Sequence, residues 1–183
     1  MKEYAVVLVL LCAVGYVALD VLWLYLPILA ANQMGYVNRF GLLWGRVPVS
    51  RRLLGPNKTL GAYYSGPILG LLAMLIVRAA FPQTSLHFGV SWLWVFVAGP
   101  AIGLGAVLGD QGNSFLKRRL GIEPESPFPL DRIDAAVGSM IVAIHVLDNL
   151  RVVEVFEVII LAGAVHILGN RNSHRRGWRK TAH

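Results

Sequence analysis

Charge is scarce in this chain. Only 15% of its 183 residues are Asp, Glu, Lys or Arg, against roughly 25% in an average soluble domain, while 56% are hydrophobic. That apolar content excludes a disordered chain, and a soluble single-core fold of this size would lack the polar residues needed to cover its surface. The apolar excess is therefore expected to face lipid. Cysteine is nearly missing too. Cys12 stands alone, so no disulfide can form within the chain and a cysteine-based zinc site is disfavoured. Acidic residues are few, 10 against 17 Lys and Arg, for a formal charge of +7. A basic excess on an apolar chain suits anionic headgroups or phosphorylated ligands.

Long apolar runs are what the chain has instead. The first, residues 4–31, exceeds the roughly 20 residues needed to cross the hydrocarbon core. It does not fit a signal peptide, whose apolar region of about 7–15 residues precedes a small-residue cleavage site. Further spans are expected over 62–81, 90–108, 133–147 and 152–168. The reading is an all-α polytopic membrane protein of five transmembrane helices, with residues 1–183 forming a single catalytic domain. Loops 32–61 and 109–132 and the tail 169–183 hold fourteen of the 17 Lys and Arg residues, leaving Lys2, Arg78 and Arg151 for the other side. By the positive-inside rule the amino terminus is expected outside and the carboxyl terminus in the cytoplasm. The external connections are short, so chemistry on polar substrates belongs to the cytoplasmic face of the cell membrane. Gly66 and Gly70, Gly99 and Gly103, and Gly105 and Gly109 are each four apart, the spacing of small faces that let helices pack closely. The tail RNSHRRGWRK reads as an anchor to anionic lipid, with Trp178 at the interface; it is too short a tract to suggest nucleic-acid binding.

The densest polar constellation is GDQGNSFLKRRLGIEPESPFPLDRID, from Gly109 to Asp134. If the third helix continues through its start, Asp110, Ser114 and Lys117 fall at i, i+4 and i+7 and share one face. Asp131 and Asp134, at i and i+3, share another at the start of span four, where a helix dipole favours negative charge. Three prolines in EPESPFP prevent a continuous helix and make a reversal plausible. Carboxylates at Asp110, Asp131 and Asp134 suit Mg2+, which uses one or two carboxylates with water and substrate phosphates. Each part alone has a plainer reading. Lys117-Arg118-Arg119 is also the basic flank that fixes topology, and Asp131 and Asp134 are also able to cap span four or pair with Arg132 or Arg119. Three acids beside four cations in one short stretch, however, look like a metal and phosphate site.

A second polar group, LGPNKTLGAYYSG from Leu54 to Gly66, lies on the same expected side. Gly55-Pro56 favours a turn, Asn57 and Thr59 offer short polar groups, and Lys58 offers a point charge for phosphate. It is no P-loop, because the Walker glycine spacing is missing. Thr59 is also placed to cap span two.

These residues carry a resemblance. Ser114-Phe115-Leu116-Lys117-Arg118 followed by Asp131-Arg132-Ile133-Asp134 is similar to the S-x-x-K-R and D-R-x-D signature of the CTP-dependent phosphatidate cytidylyltransferase superfamily, and Pro56-Asn57-Lys58-Thr59 is similar to its P-x-K-T element. The short length, the five expected spans, Leu26-Pro27, Ala31-Asn32 and the KRRLGI sequence resemble its archaeal branch, the CDP-archaeol synthases. Leu60-Gly61-Ala62 departs from the aromatic, charged residue and glycine that usually follow K-T, and the acid many relatives carry after K-R is replaced by Glu123 and Glu125 nearby. The resemblance implies transfer of CMP from CTP to 2,3-bis-O-geranylgeranylglycerol 1-phosphate, giving CDP-archaeol and pyrophosphate. It implies Mg2+ on Asp110, Asp131 and Asp134, and CTP and lipid phosphate contacts from Asn57, Lys58, Thr59, Ser114, Lys117, Arg118 and Arg119. The catalytic set would be Asp110, Lys117, Asp131 and Asp134.

The rival expectation from another class is a small transporter or channel built on the intramembrane ionisable residues Asp20, His145, Glu154 and Glu157. A non-catalytic scaffold relying on the glycine faces and basic tail would tolerate loss of all three site aspartates.

Overall fold

The computed structural model describes residues 19–38, 45–123 and 126–175. Residues 4–18 of the first expected span, with Cys12, lie outside these, as do Arg39, Glu125 and the tail from 176 on, with Trp178. Among the described residues the regular structure is helical, with one isolated bridge between Pro48 and Thr59 and no strand. The elements are α1 (Leu19–Asn32), α2 (Met34–Asn38), α3 (Ala62–Ala80), α4 (Pro82–His87), α5 (Val95–Arg119), a 3-10 turn (Pro129–Arg132), α6 (Asp134–Val146) and α7 (Val152–Arg175).

α5 is the central post, packed on α3 along one side and α6 along the other. Glycine makes both contacts possible. A Cβ on Gly103 would collide with the carbonyl of Gly66, and one on Gly99 would stand 2.8 Å from the Cα of Leu71. On the other seam a Cβ on Gly105 would lie 2.7 Å from the carbonyl of Gly138, and one on Gly138 would lie 2.6 Å from the Cα of Gly109. The expected close packing is thus real, and Gly138 joins the three pairs seen in the sequence. Around these seams Trp23, Ile28, Met74, Ile102, Met140 and Val158 are buried together. Large apolar side chains elsewhere face outward. Ile76, Leu93, Val152 and Ile160 are all at least two-thirds exposed, an arrangement stable only where the surroundings are apolar.

Hydropathy ends span three at residue 108, but α5 continues to Arg119 because its polar residues keep the helical period. Its stop is a Schellman motif. Gly121 takes φ +71°, the Ile122 N–H bonds the carbonyl of Lys117 at 2.9 Å, and the Gly121 N–H bonds that of Arg118 at 3.3 Å. The loop expected over 109–132 therefore starts at Leu120. α6 is short and α7 runs past the end expected for span five. Among the described residues, α3 and α5 are the helices both long and apolar enough to cross a membrane by themselves. The short helices α2 and α4 fall inside segments expected to be loops.

Candidate active site

Polar side chains from the carboxyl end of α5, the amino end of α6 and the loop before α3 converge on one cavity of about 290 Å3. Asn57, Lys58, Asp110, Ser114, Lys117, Arg118, Asp131 and Asp134 all line it. The continued α5 face explains four of these: Asp110, Ser114, Lys117 and Arg118 lie within about 100° of arc on one side of the helix. The loop is placed by backbone pairing. The Val49 N–H donates to the Lys58 carbonyl and the Leu60 N–H to that of Val47, both at 2.8 Å. Gly55 turns the chain at φ +91°, and Gly61 lies against Gly45, where a Cβ would stand 2.6 Å from the Cα. The departure at Leu60-Gly61 from the expected motif thus serves a close backbone approach.

Two ion pairs stand inside the cavity, Lys58 with Asp110 and Lys117 with Asp131. Lys58 Nζ bonds Asp110 Oδ1 at 2.5 Å. Lys117, only 7% exposed, donates to both oxygens of Asp131 at 3.1 Å and to the Ser126 carbonyl at 2.7 Å. Asp131 also accepts the Phe128 N–H at 2.9 Å, fixing the 3-10 turn that follows the proline run. Asp131 thus pairs with Lys117, while Asp134 accepts the N–H of Ala135 at 2.7 Å. Neither caps α6, whose N-cap is Ile133.

Sequence reasoning missed three residues here. Asn113 is buried one helical step from Asp110 and gives one amide hydrogen to Asp131 Oδ1 at 2.7 Å and the other to Asp134 Oδ2 at 2.8 Å. Counting i+3 from Asp110 would have found it. Asn32 from α1 and His166 from α7 also line the cavity, and no spacing in the sequence signals either. Two expected residues stand elsewhere. Thr59 caps no helix but accepts from Asn38 Nδ2 at 3.3 Å, and Asn38 Oδ1 in turn accepts from Ser65. Arg119 is exposed, with its guanidinium 5.0 Å over the ring of Phe115 rather than in the cavity.

Asn113 and Asp134 also form part of the wall of a second cavity of about 410 Å3. Leu108, Leu116, Leu130, Ile133, Val137, Ile141 and Val142 line most of it. A polar chamber and an apolar trough thus share a wall between α5 and α6, a layout suited to a lipid whose reacting end is ionic.

The family model for CarS-like CDP-archaeol synthases matches residues 14–182. The chain belongs to the CDP-archaeol synthase family. It is accordingly an enzyme, a cytidylyltransferase that forms CDP-archaeol in membrane lipid biosynthesis. Among CDP-archaeol synthases, that of Sulfolobus acidocaldarius is 32% identical over 155 residues, covering 82% of this chain and 89% of the relative. That of Aeropyrum pernix is 38% identical over 130 residues, 69% and 70% of the two chains. A solved structure of an intramembrane enzyme for archaeal membrane lipids biosynthesis superposes with a TM-score of 0.65 at 29% identity, over 81% of this chain and 90% of that one. The CDP-archaeol synthase fold thus belongs in a membrane. The transporter reading loses its support. Asp20 and Glu154 gather at one end of the bundle with His87, and His145 Nδ1 lies 2.8 Å from the Ile141 carbonyl of its own helix.

Proposed function

We propose that the polar cavity binds CTP together with the phosphate of 2,3-bis-O-geranylgeranylglycerol 1-phosphate, and that the adjoining trough receives a prenyl chain. The observation that carries this reading is the wall shared by the two cavities at Asn113 and Asp134. Lys58, Lys117 and Arg118 are the cations placed to hold the triphosphate. Arg118 Nε is buried without a hydrogen-bond partner, a donor that an incoming phosphate oxygen would satisfy. Asn57 and Ser114 supply short polar contacts beside it.

The donor set fits a hard divalent cation. Asp110, Asp131 and Asp134 offer carboxylate oxygens, and the buried Asn113 Oδ1 has no hydrogen-bond partner, which leaves an all-oxygen group of the kind Mg2+ selects. When bound, Mg2+ would supply neutralisation of the charge that develops on the phosphates. The lipid phosphate oxygen attacks the α-phosphorus of CTP, forming the new P–O bond as the bond from the α-phosphorus to the bridging oxygen breaks and pyrophosphate leaves. No general base is needed, since a phosphomonoester with a second pKa near 6 is already largely ionised at neutral pH. The protein's part is placement: Lys58 holds Asp110 and Lys117 holds Asp131 in register, and Asn113 bridges Asp131 and Asp134.

The membrane arrangement belongs to the same reading: five spans over one domain, the amino terminus outside, and the cavity facing the cytoplasm. Its support is the charge distribution, since Lys58, Lys117, Arg118 and Arg132 lie at the cavity end while Arg78 and Arg151 lie at the other. The test is incubation of the purified protein in detergent with labelled CTP, Mg2+ and either the geranylgeranyl ether phosphate or phosphatidic acid. Lipid-linked CMP is expected with the ether lipid, and its absence with both lipids would overturn the reading.

A further inference from the structure

The other end of the bundle holds a second set of ligating groups that the transfer reaction does not use. Asp20 on α1, His87 at the end of α4 and Glu154 in the first turn of α7 bring two carboxylate oxygens and an imidazole nitrogen within 4.8 Å of one another. α1 contributes Asp20 here and Asn32 to the polar cavity, and α7 contributes Glu154 here and His166 there. Each pair is twelve residues apart, about 18 Å at 1.5 Å per helical residue, so this cluster is distinct from the catalytic one.

Asp20 is the side chain that demands explanation. It is fully buried, and neither carboxylate oxygen has a hydrogen-bond partner. The nearby cation, Arg151, keeps Nη2 3.9 Å from Asp20 Oδ2, with a side chain 55% exposed, while its Nε bonds Glu154 at 2.9 Å. Glu157 is the other charged group facing Arg151. A buried carboxylate without a donor is costly, and an ion that reaches both its oxygens and its neighbours would remove the cost. The surroundings also hold the three groups in place. Trp23 stacks on Phe88 with ring centroids 5.0 Å apart and donates to Ser85 Oγ at 2.9 Å. Asn149 Nδ2 donates to the His87 carbonyl at 2.8 Å.

We propose that Asp20, His87 and Glu154 form a site for a divalent transition-metal ion such as Zn2+, which would pin α1, α4 and α7 together at this end. Imidazole with two carboxylates favours such an ion over Mg2+. Zinc bonds of about 2.0–2.2 Å in tetrahedral geometry separate ligands by about 3.3–3.5 Å, so closure requires the side chains to draw in by roughly 1 Å. Arg151 competes for the same carboxylates and swings out to solvent as the ion enters.

The test uses the full chain in detergent, stripped with chelator and titrated with ZnCl2 or MgCl2 while the unfolding midpoint is followed. Zn2+ at about a hundred times its Kd is expected to raise the midpoint by about 5–10 °C. The rise should persist in the Asp131→Asn/Asp134→Asn double variant, where two of the three catalytic aspartates are silenced, and there MgCl2 should give none. Asp20→Asn and the half-buried His87→Gln should each abolish it, with one fewer bound zinc per chain after dialysis. Arg151→Gln should tighten Zn2+ binding, because the competing cation is gone. A rise that is absent in the wild type, retained in either Asp20→Asn or His87→Gln, or lost in the double variant would overturn the site.

Discussion

Lys58 Nζ meets Asp110 Oδ1 at 2.5 Å, tying a loop ahead of α3 to a helix face fifty-two residues further along. Both side chains are about three-quarters covered, so the pair is neither a surface ion pair nor a fully dry one. Because each partner also has a proposed role toward substrate, the two are not expected to act independently. Lys58→Ala should lower kcat/KM by about 10^2-fold, the scale for losing one preorganised donor. Lys58→Ala with Asp110→Asn should cost less than the product of the two single effects. Strict multiplicativity in a double-mutant cycle of initial rates would show that the contact has no functional weight.

Asp131→Asn and Asp134→Asn should each abolish turnover while leaving the protein folded, since both sit at the rim of α6 rather than in its core. Gel filtration and thermal unfolding check the fold, and labelled CMP transfer checks the reaction. EDTA should silence the wild type and Mg2+ should restore it; normal Mg2+-dependent activity in either variant would remove that aspartate from the site.

Asn113 holds Asp131 and Asp134 apart with one amide. Replacing it with Ala removes one donor from each carboxylate, leaving Asp131 to Lys117 and the Phe128 N–H and Asp134 to the Ala135 N–H, a loss of about 1–3 kcal/mol for the buried bonds. Divalent cations should restore part of that stability by taking the amide's place between the acids. The check is the unfolding midpoint with and without Mg2+: the variant should respond more strongly than the wild type.

Val137→Trp narrows the apolar trough without touching a charged group. The expected result is a raised KM for the prenylated phosphate, with the KM for CTP unchanged within about twofold. Equal effects on both substrates would place the lipid elsewhere.

Gly103→Ala puts a methyl group into the carbonyl of Gly66. Overpacking of this kind costs typically 1–3 kcal/mol, and two helices in backbone contact leave little room to relax. A lowered unfolding midpoint is expected, whereas Gly112→Ala, which meets nothing within 4 Å, should be silent.

Much of the site was legible because its chemistry is periodic. Asp110, Ser114 and Lys117 announce a shared helix face, and the prolines between Glu123 and Asp131 announce the reversal that brings Asp131 and Asp134 back to it. Hydropathy misplaced the end of α5, since an apolar scale stops at Asp110 while backbone hydrogen bonds continue until a positive-φ glycine stops them at Gly121. Thr59 and Arg119 were misplaced because spacing gives the element a residue sits on but not the rotation of a loop or the far side of a last turn. Asn32 is legible only as part of the family resemblance, with no role, and His166 is not legible at all. Each stands twelve residues from an acid that its helix carries at the other end, and only the packing of α1 and α7 decides which way it faces. Asn113 was available to the same count that found Ser114, and was passed over because an amide carries no charge to attract notice.

The glycine seams have a mechanical consequence. Where two helices touch backbone to backbone, no side chain lies between them to change rotamer, so α3, α5 and α6 respond to a load as one stiff beam. Asp110, Lys117 and Asp134 at its tip inherit that stiffness. Ground lost or gained in the chamber during a catalytic cycle then falls to the parts that are not welded to the beam: the loop carrying Lys58, and the helices that reach the chamber through Asn32 and His166.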